Sequence, residues 1–143
     1  MNNNAKILKE ARIKAEREIK AMVVVMGNEA KNHFEDSFRN QGFTNETLVS
    51  WRKRKRTERS RYGSRGILTG TGNLRRSIKK AKLGQYAIRF SSNLIYANVH
   101  NEGLKAGRGN GFIMPKRQFV GYSGKLNRKL IEKFNSKIQA IFG

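Results

Sequence analysis

The sequence predicts one α+β domain, in which a small antiparallel sheet of about three or four strands packs with a long N-terminal helix and an amphipathic C-terminal helix. Three observations carry this prediction. Apolar residues recur at helical spacing near both ends of the chain. Between them, two segments of alternating polarity flank a Gly-Gln turn, and the length of 143 residues suits a single domain over residues 1–143.

A long helix is predicted over residues 5–40. Its apolar residues recur every three or four positions, which places them on one helix face, and the Asn-Gln-Gly signal at residues 40–42 is typical of a helix end. The predicted face consists of Ala11, Ala15, Ile19, Val23, Met26, Ala30, Phe34 and Phe38. Residues 43–66 follow as a basic connector loop, which we expect to be extended without a partner because its adjacent positive charges repel each other.

The segment 67–122 is predicted to contain a hairpin, a short helix and an edge strand. Residues 78–83 and 86–91 flank Gly84-Gln85, which fits a two-residue turn. A single helical turn is predicted over residues 73–77, and a short helix over residues 94–101 that ends at Gly103. Residues 118–121, which follow the only proline, are predicted as an edge strand because a proline is poorly placed in the centre of a sheet.

The C-terminal helix is predicted over residues 123–142, with Ser123 as its N-cap. Its apolar face is formed by Leu126, Leu130, Phe134, Ile138, Ile141 and Phe142. Lysine and arginine occupy the opposite face, so this helix is predicted to pack along one side only.

The charge of the chain is large and unevenly distributed. The net charge is +21, from 31 Lys and Arg against 10 Asp and Glu. Up to Trp51 there are eight basic and seven acidic residues, whereas from Arg52 onward there are 23 basic and three acidic ones. Such an excess predicts sequence-independent contact with DNA, and the alternatives are a solvated face or a surface that matches an acidic protein neighbour. The candidate residues are Arg52, Lys53, Arg54, Lys55, Arg56, Arg59, Arg75, Arg76, Lys79 and Lys80.

Catalytic and cofactor sites are not predicted. The chain has no cysteine, so it has no disulfide framework and no thiolate metal site. The pair His100 and Glu102 could be drawn as metal ligands or as an acid and base, but no third ligand accompanies them, and we expect a structural or interface histidine. The segment 70–75 lacks the third glycine of a dinucleotide fingerprint and the Gly-Lys-Ser/Thr of a phosphate-binding loop.

Neither a membrane span nor a secretory signal is predicted. The chain has no run approaching the roughly 18 apolar residues that a span requires. Its N-terminus lacks the apolar core of a secretory signal, so we expect synthesis in the cytoplasm.

Three sequence blocks occur in a fixed order after the long helix and the Gly42…Trp51 segment. They are ILTGTGNLRRSI at residues 67–78, YANVHNEG at residues 96–103 and IMPKRQFVGYS at residues 113–123. This order resembles the phage virion morphogenesis family, from which the chain departs at Lys116 and Gln118, where the family usually has alanine and proline. The residues that carry the resemblance are Trp51, Gly72, Leu74, Tyr96, His100, Gly103, Pro115 and Phe119.

The resemblance implies a structural subunit of a tailed-phage virion, at the neck or the tail end. It implies a ring of identical subunits that completes the tail or joins it to the head, in contact with other phage neck, connector or tail proteins. It implies no catalytic residue, and we expect no cofactor and no membrane partner, with localisation to the virion after synthesis in the host bacterial cytoplasm. The alternative is a cytoplasmic protein that binds nucleic acid without sequence preference.

Overall fold

The computed structural model describes residues 2–55 and 65–143, and it confirms the α+β class. The described helices are α1 (Asn3–Asn40), α2 (Asn73–Ser77), α3 (Ile95–Glu102) and α4 (Gly124–Phe142). The described strands are β1 (Gly42–Thr44), β2 (Leu48–Ser50), β3 (Lys79–Lys82), β4 (Ile88–Ser91), β5 (Lys105–Ala106) and β6 (Phe112–Ile113). Within these residues the strands form three separate two-stranded antiparallel sheets, β1–β2, β3–β4 and β5–β6, in place of the single sheet expected.

The helix α1 is longer by two residues than predicted and ends at Gln41, whose φ of 54° is left-handed. The side-chain amide of Gln41 donates to the carbonyls of Phe38 at 2.6 Å and Ile67 at 3.2 Å. These bonds hold a conformation that would usually require glycine. The following residue, Gly42, is therefore free to begin β1 rather than to cap the helix.

The predicted connector after α1 differs from the structure. The predicted connector 43–66 contains most of the β1–β2 hairpin, which pairs Phe43 with Val49. Phe43 is buried against Phe34 in the core, whereas β2 is exposed along its length. The hairpin was not predicted because the basic composition of the rest of the connector indicated a loop. The part of the connector at residues 56–64 lies outside the described residues.

The predicted β3–β4 hairpin is confirmed, with a longer turn. The amide of Leu83 donates to the carbonyl of Ala87 at 2.8 Å, which leaves three residues in the loop rather than two. Gly84 takes a φ of 73°, as this loop requires. Ile88 and Phe90 face α1: the ring of Phe90 lies 5.0 Å from that of Phe34. A Cβ at Gly27 would lie 3.1 Å from Ile88, so the helix glycine permits a close approach of the hairpin.

The predicted edge strand over residues 118–121 is wrong, because side chains satisfy the backbone groups of this segment instead of a neighbouring strand. The side-chain oxygen of Asn101 accepts from the amides of Phe119 at 2.9 Å and Val120 at 3.0 Å. The indole of Trp51 donates to the carbonyl of Gln118 at 2.7 Å. The extended pairing in this part of the chain is instead β5 with β6, which lie before Pro115.

The C-terminal helix is confirmed with its cap. The hydroxyl of Ser123 accepts from the amide of Leu126 at 3.1 Å and donates to the carbonyl of Asn45 at 3.1 Å. This pair of bonds joins the start of α4 to the β1–β2 turn. The short helices α2 and α3 also form where expected, and α3 ends at Gly103 with a φ of 72°.

Ion pairs bind α4 to α1. Glu29 contacts Lys129 and Lys133 at 2.6 and 2.5 Å, and Glu18 contacts Lys137 at 2.8 Å. The acidic residues of the nearly neutral N-terminal part therefore neutralise cations of α4. Hydrogen bonds from Lys129 and Lys133 lower the pKa of Glu29 to about 2.

The stability of the protein should fall in acid through Glu29. Because its folded-state pKa lies below its unfolded value, its contribution is present above the unfolded pKa and is lost as the pH falls toward about 2. We expect Glu29→Gln to lower the melting temperature at neutral pH and to flatten the acid limb of the stability curve. Thermal melts from neutral to acid pH test this expectation. The control is Glu16→Gln, because the carboxylate of Glu16 pairs, among the described residues, only with the exposed Arg12, one turn earlier in α1. Parallel curves for wild type and Glu29→Gln would contradict the assignment.

Candidate assembly and anion-binding surfaces

Three of the residues that carry the family resemblance belong to the core rather than to a chemical site. Trp51, Leu74 and Phe119 are buried around Phe38 in one hydrophobic cluster. The ring of Phe38 lies 5.5 Å from that of Trp51 and 5.2 Å from that of Phe119. These residues come from segments far apart in the sequence, so their role is to fasten the loops of residues 51 and 119 onto the end of α1.

The two glycines of the resemblance sit at helix ends. Gly72 precedes α2 with a φ of 74°, where a Cβ would meet the guanidinium of Arg76 at 2.7 Å. Gly103 follows α3, where a Cβ would lie 2.9 Å from the backbone of Lys116. Both positions combine a left-handed backbone with a close contact, and any larger residue would be strained there. Glycine is therefore required at both positions for the fold.

His100 lies half-buried beside Tyr96, with the two ring centres 6.2 Å apart. Burial, with a smaller contribution from Arg117, lowers the pKa of His100. Its backbone carbonyl accepts from the amide of Arg117 at 2.7 Å, directly after the half-buried Pro115 and the exposed Lys116. The histidine block therefore supports the turn that follows β6.

Metal-ligating groups do not cluster in residues 2–55 and 65–143: no three His, Asp or Glu side chains there are placed to hold an ion. Glu102, the other member of the pair considered from the sequence, contacts Lys116 at 3.9 Å. The other histidine, His33, bonds the carbonyl of Thr44 at 3.0 Å. Both histidines thus contact neighbouring parts of the fold: His100 contacts Tyr96 and Arg117, and His33 contacts Thr44.

Arg54, in the basic segment that follows Trp51, forms hydrogen bonds with its own chain. The guanidinium of Arg54 donates to the carbonyls of Arg65 at 3.2 Å and Gly66 at 3.0 Å. Arg52, Lys53 and Lys55 have exposed side chains, and Arg56 and Arg59 lie outside the described residues. These bonds join the described residue Arg54 to the described segment that begins at Arg65.

Arg117, which lies in the third sequence block, is a buried cation. Only 8% of it is exposed, and its guanidinium donates to the carbonyl of Arg52 at 3.2 and 3.1 Å. Burial, with contributions from Arg54 and Arg52, lowers its pKa. Its bonds fix the path of the chain as it leaves Trp51.

The two basic candidates in the β3–β4 hairpin, Lys79 and Lys80, lie on opposite faces of it. Paired residues of an antiparallel ladder share a face, so Lys79, Arg89 and Ser91 point away from α1. Lys80, which pairs with Phe90, points toward α1, and its ammonium group bonds the side chain of Asn28. We name the outward pair Lys79 and Arg89 the hairpin cations.

In α2, Arg75 is exposed, whereas Arg76 is engaged by its own turn. Arg76 donates to the carbonyl of Thr71 at 2.9 Å and to the side chain of Asn73 at 2.7 Å. Among the residues that the structure describes, no carboxylate forms an ion pair with Arg75 or with the hairpin cations. These three side chains are available to an anionic partner.

Large apolar side chains are more often exposed than buried in the described part of the chain. Three groups project from the core: Ile7 and Leu8 on α1, Leu48 and Val49 on β2, and Phe112 and Ile113 on β6. Ile113 and Leu8 are each 70% exposed. Exposed apolar surface on this scale is typical of a protein that associates with others.

The sequence matches the phage virion morphogenesis family over residues 2–139. The chain belongs to this family. The match spans α1 and nearly all of α4, so it covers the whole fold and not the three central blocks alone. No curated protein and no solved structure matches the chain. None of the helices described is long and apolar enough to cross a membrane.

Membership of the virion morphogenesis family assigns the chain to the assembly of a phage virion and supports a structural role. The family blocks coincide with the features that set the fold: the two helix-end glycines and the core residues Trp51, Leu74 and Phe119. The candidate basic residues lie mainly outside those core positions.

Sequence reasoning missed the polar residues that hold the loops of this virion morphogenesis protein together. Asn101 binds residues 119 and 120, Gln41 binds residue 67, and Asn45 accepts from the start of α4 through its side chain at 2.9 Å from the amide of Gly124. Each is an amide side chain next to the end of a helix or strand. That position was a usable signal, because amide side chains commonly bond nearby backbone groups.

Proposed function

We propose that the protein is a structural subunit at the neck or tail end of a tailed-phage virion, where identical copies form a ring that completes the tail or joins it to the head. Family membership supports the virion role. The observation that carries the ring is the large exposed apolar surface of the described residues, spread over α1, β2 and β6. Surfaces on several sides of one subunit suit contacts with two neighbours and with further virion proteins.

Purified virions and the purified protein test this proposal together. We expect mass spectrometry to find the protein in virions, electron microscopy of the protein to show annular particles, and a phage lacking the gene to yield heads and tails that do not join productively. A protein that stays monomeric at every concentration and is absent from virions would refute the proposal. A particle defect confined to head assembly would refute the neck or tail position.

We further propose that the basic surface faces the DNA that passes through such a ring. The exposed hairpin cations and Arg75 have no carboxylate partner among the described residues, and the net charge is +21. The surface offers no groove-reading helix with base-specific side chains, so the contact is electrostatic. No catalytic residue is assigned, and we expect no hydrolytic or nuclease activity.

The hairpin cations should contribute to the salt dependence of the affinity for DNA. Each phosphate contact contributes about 0.9 to the slope of log affinity against log salt concentration. We therefore expect the double variant Lys79→Gln and Arg89→Gln to reduce that slope by about 2 without changing the fold. Titrations of duplex DNA at several salt concentrations measure it, and Lys80→Gln, on the inward face of the same strand, is the matched control.

Two results would contradict the DNA contact. Equal slopes for the double variant and the control would exclude the hairpin cations. Absence of binding at low salt would leave an acidic virion protein as the partner of the basic surface.

A further inference from the structure

The first part of α1 is not covered by any other described part of its chain. Helix α4 covers α1 as far as Glu18, which pairs with Lys137, and Ala15 is the first buried residue of α1. All residues from Asn3 to Lys14 are exposed. The apolar face nevertheless continues: Ala11 lies one turn before Ala15, and Ile7 and Leu8 lie one turn before Ala11. We name Ile7, Leu8 and Ala11 the N-terminal stripe.

An apolar groove lies farther along the same helix, between α1, the tip of the β3–β4 hairpin and α4. Its volume is about 200 Å³. An apolar cavity of about 150 Å³ can hold a benzene molecule, so this groove has room for a large aliphatic side chain. Its lining includes Val23, Met26, Gly27, Tyr86, Ile88 and Leu130.

We infer that the N-terminal stripe of one copy docks in the apolar groove of the next copy. Both halves of the contact are present on every chain, so repetition gives a head-to-tail interface, which closes into a ring when the rotation between copies permits. The inference rests on the proposed ring and specifies how its neighbours touch.

The groove cannot be filled by the stripe of its own chain. Residues 3–40 form one continuous helix, which places Leu8 about 22 Å from Val23 along the axis, at about 1.5 Å per residue. Only a second copy, or another protein, can bring an apolar helix face to the groove. A second copy supplies such a face, because its N-terminal stripe repeats the apolar spacing of the α1 face on which Leu126 of α4 packs at Ala30 and Phe34.

The charges of the segment permit this contact without being buried by it. At about 100° per residue, Lys6 and Lys9 lie on the side of the helix opposite Ala11. Lys14, two turns after Ile7, lies beside the stripe, where its long side chain can keep the ammonium group in water. Two copies that each carry +21 repel each other at long range, so the contact depends on apolar burial. Added salt should therefore strengthen it through screening, whereas a contact with DNA or an acidic protein would weaken.

Disulfide trapping tests the contact. The chain has no cysteine of its own, so only the introduced thiols can form disulfides. A disulfide requires Cα atoms within about 7 Å, so cysteines at positions 8 and 86 cannot pair within one chain. We expect the double variant Leu8→Cys and Tyr86→Cys to form a ladder of cross-linked multimers, both as purified protein and in virions. The matched control, Lys6→Cys with Tyr86→Cys, places the first thiol on the opposite side of the helix and should give no ladder.

A second variant tests the contact energetically. Leu8→Lys changes a side chain that is 70% exposed, so the subunit should fold normally, while its self-association should weaken by about tenfold or more because a charge would enter an apolar site. Sedimentation at low and high salt measures this, with Lys6→Leu as the control.

The outcomes separate this contact from the proposed function. A ladder in the double variant and association that rises with salt support the contact. Dimers of Leu8→Cys alone would overturn it in favour of stripe pairing with stripe. Equal cross-linking of test and control variants, in a protein that still forms rings and enters virions, would overturn the contact and leave the proposed function standing. A protein that neither associates nor enters virions would overturn both.

Discussion

Replacement of Phe38 by alanine should remove a large fraction of the folding stability of the protein. Phe38 is 1% exposed and lies between Trp51 and Phe119, so it joins the end of α1 to two distant segments. Truncation of a buried phenylalanine costs about 3–5 kcal/mol, whereas a domain is stable by about 5–15 kcal/mol in total. We expect a urea midpoint far below that of the wild type, or no cooperative transition at all.

The matched control is Phe112→Ala, which removes the same side chain from β6, where it is 56% exposed. We expect this variant to melt close to the wild type. If Phe38→Ala were as stable as Phe112→Ala, the cluster around Phe38 would not be the centre of the core. Near-ultraviolet circular dichroism, which reports the environment of Trp51, follows the same loss independently.

The helices and their ends were predictable because their signals are local. The apolar spacing of α1 and α4, the cap at Ser123 and the glycine at residue 103 each lie within a few residues of the feature they determine. The β3–β4 hairpin was found for the same reason. Its turn was assigned one residue too short, because the sequence did not show that Leu83 pairs with Ala87.

The loops were not predictable, because their bonds join residues that are far apart. The edge strand at residues 118–121 was a reasonable interpretation of an apolar segment after a proline, but Asn101 and Trp51 satisfy its backbone. The strands β5 and β6 have two residues each, which is too short for any periodicity to show.

The candidate basic surface was predictable in composition and not in arrangement. The sequence showed where the positive charge lies along the chain. It did not show that Arg117 is buried, that Lys80 faces α1 or that Glu29 neutralises two cations of α4. Each of these depends on the packing of two elements, so the exposed set of cations is smaller than the sequence suggested.

Asn101 connects α3 to the segment that replaces the expected strand. Its oxygen accepts from the amides of Phe119 and Val120, and its amide group donates to the carbonyl of Val120 at 3.1 Å. Phe119 belongs to the core around Phe38, so these bonds hold a core residue in place. Each buried backbone group left without a partner costs about 1–3 kcal/mol.

Asn101→Ala should therefore destabilise the protein by about 3 kcal/mol or more, since it leaves three backbone groups of residues 119 and 120 without their partner. We expect the amides of Phe119 and Val120 to lose hydrogen-exchange protection. Urea denaturation measures the global effect, and Asn98→Ala, the same substitution at an exposed position of α3, is the control. Asn101→Asp keeps both acceptor bonds and loses the donor to Val120, so its loss should be smaller than that of Asn101→Ala. Equal stability of Asn101→Ala and Asn98→Ala would show that water replaces these bonds and that the segment is held by Phe119 alone.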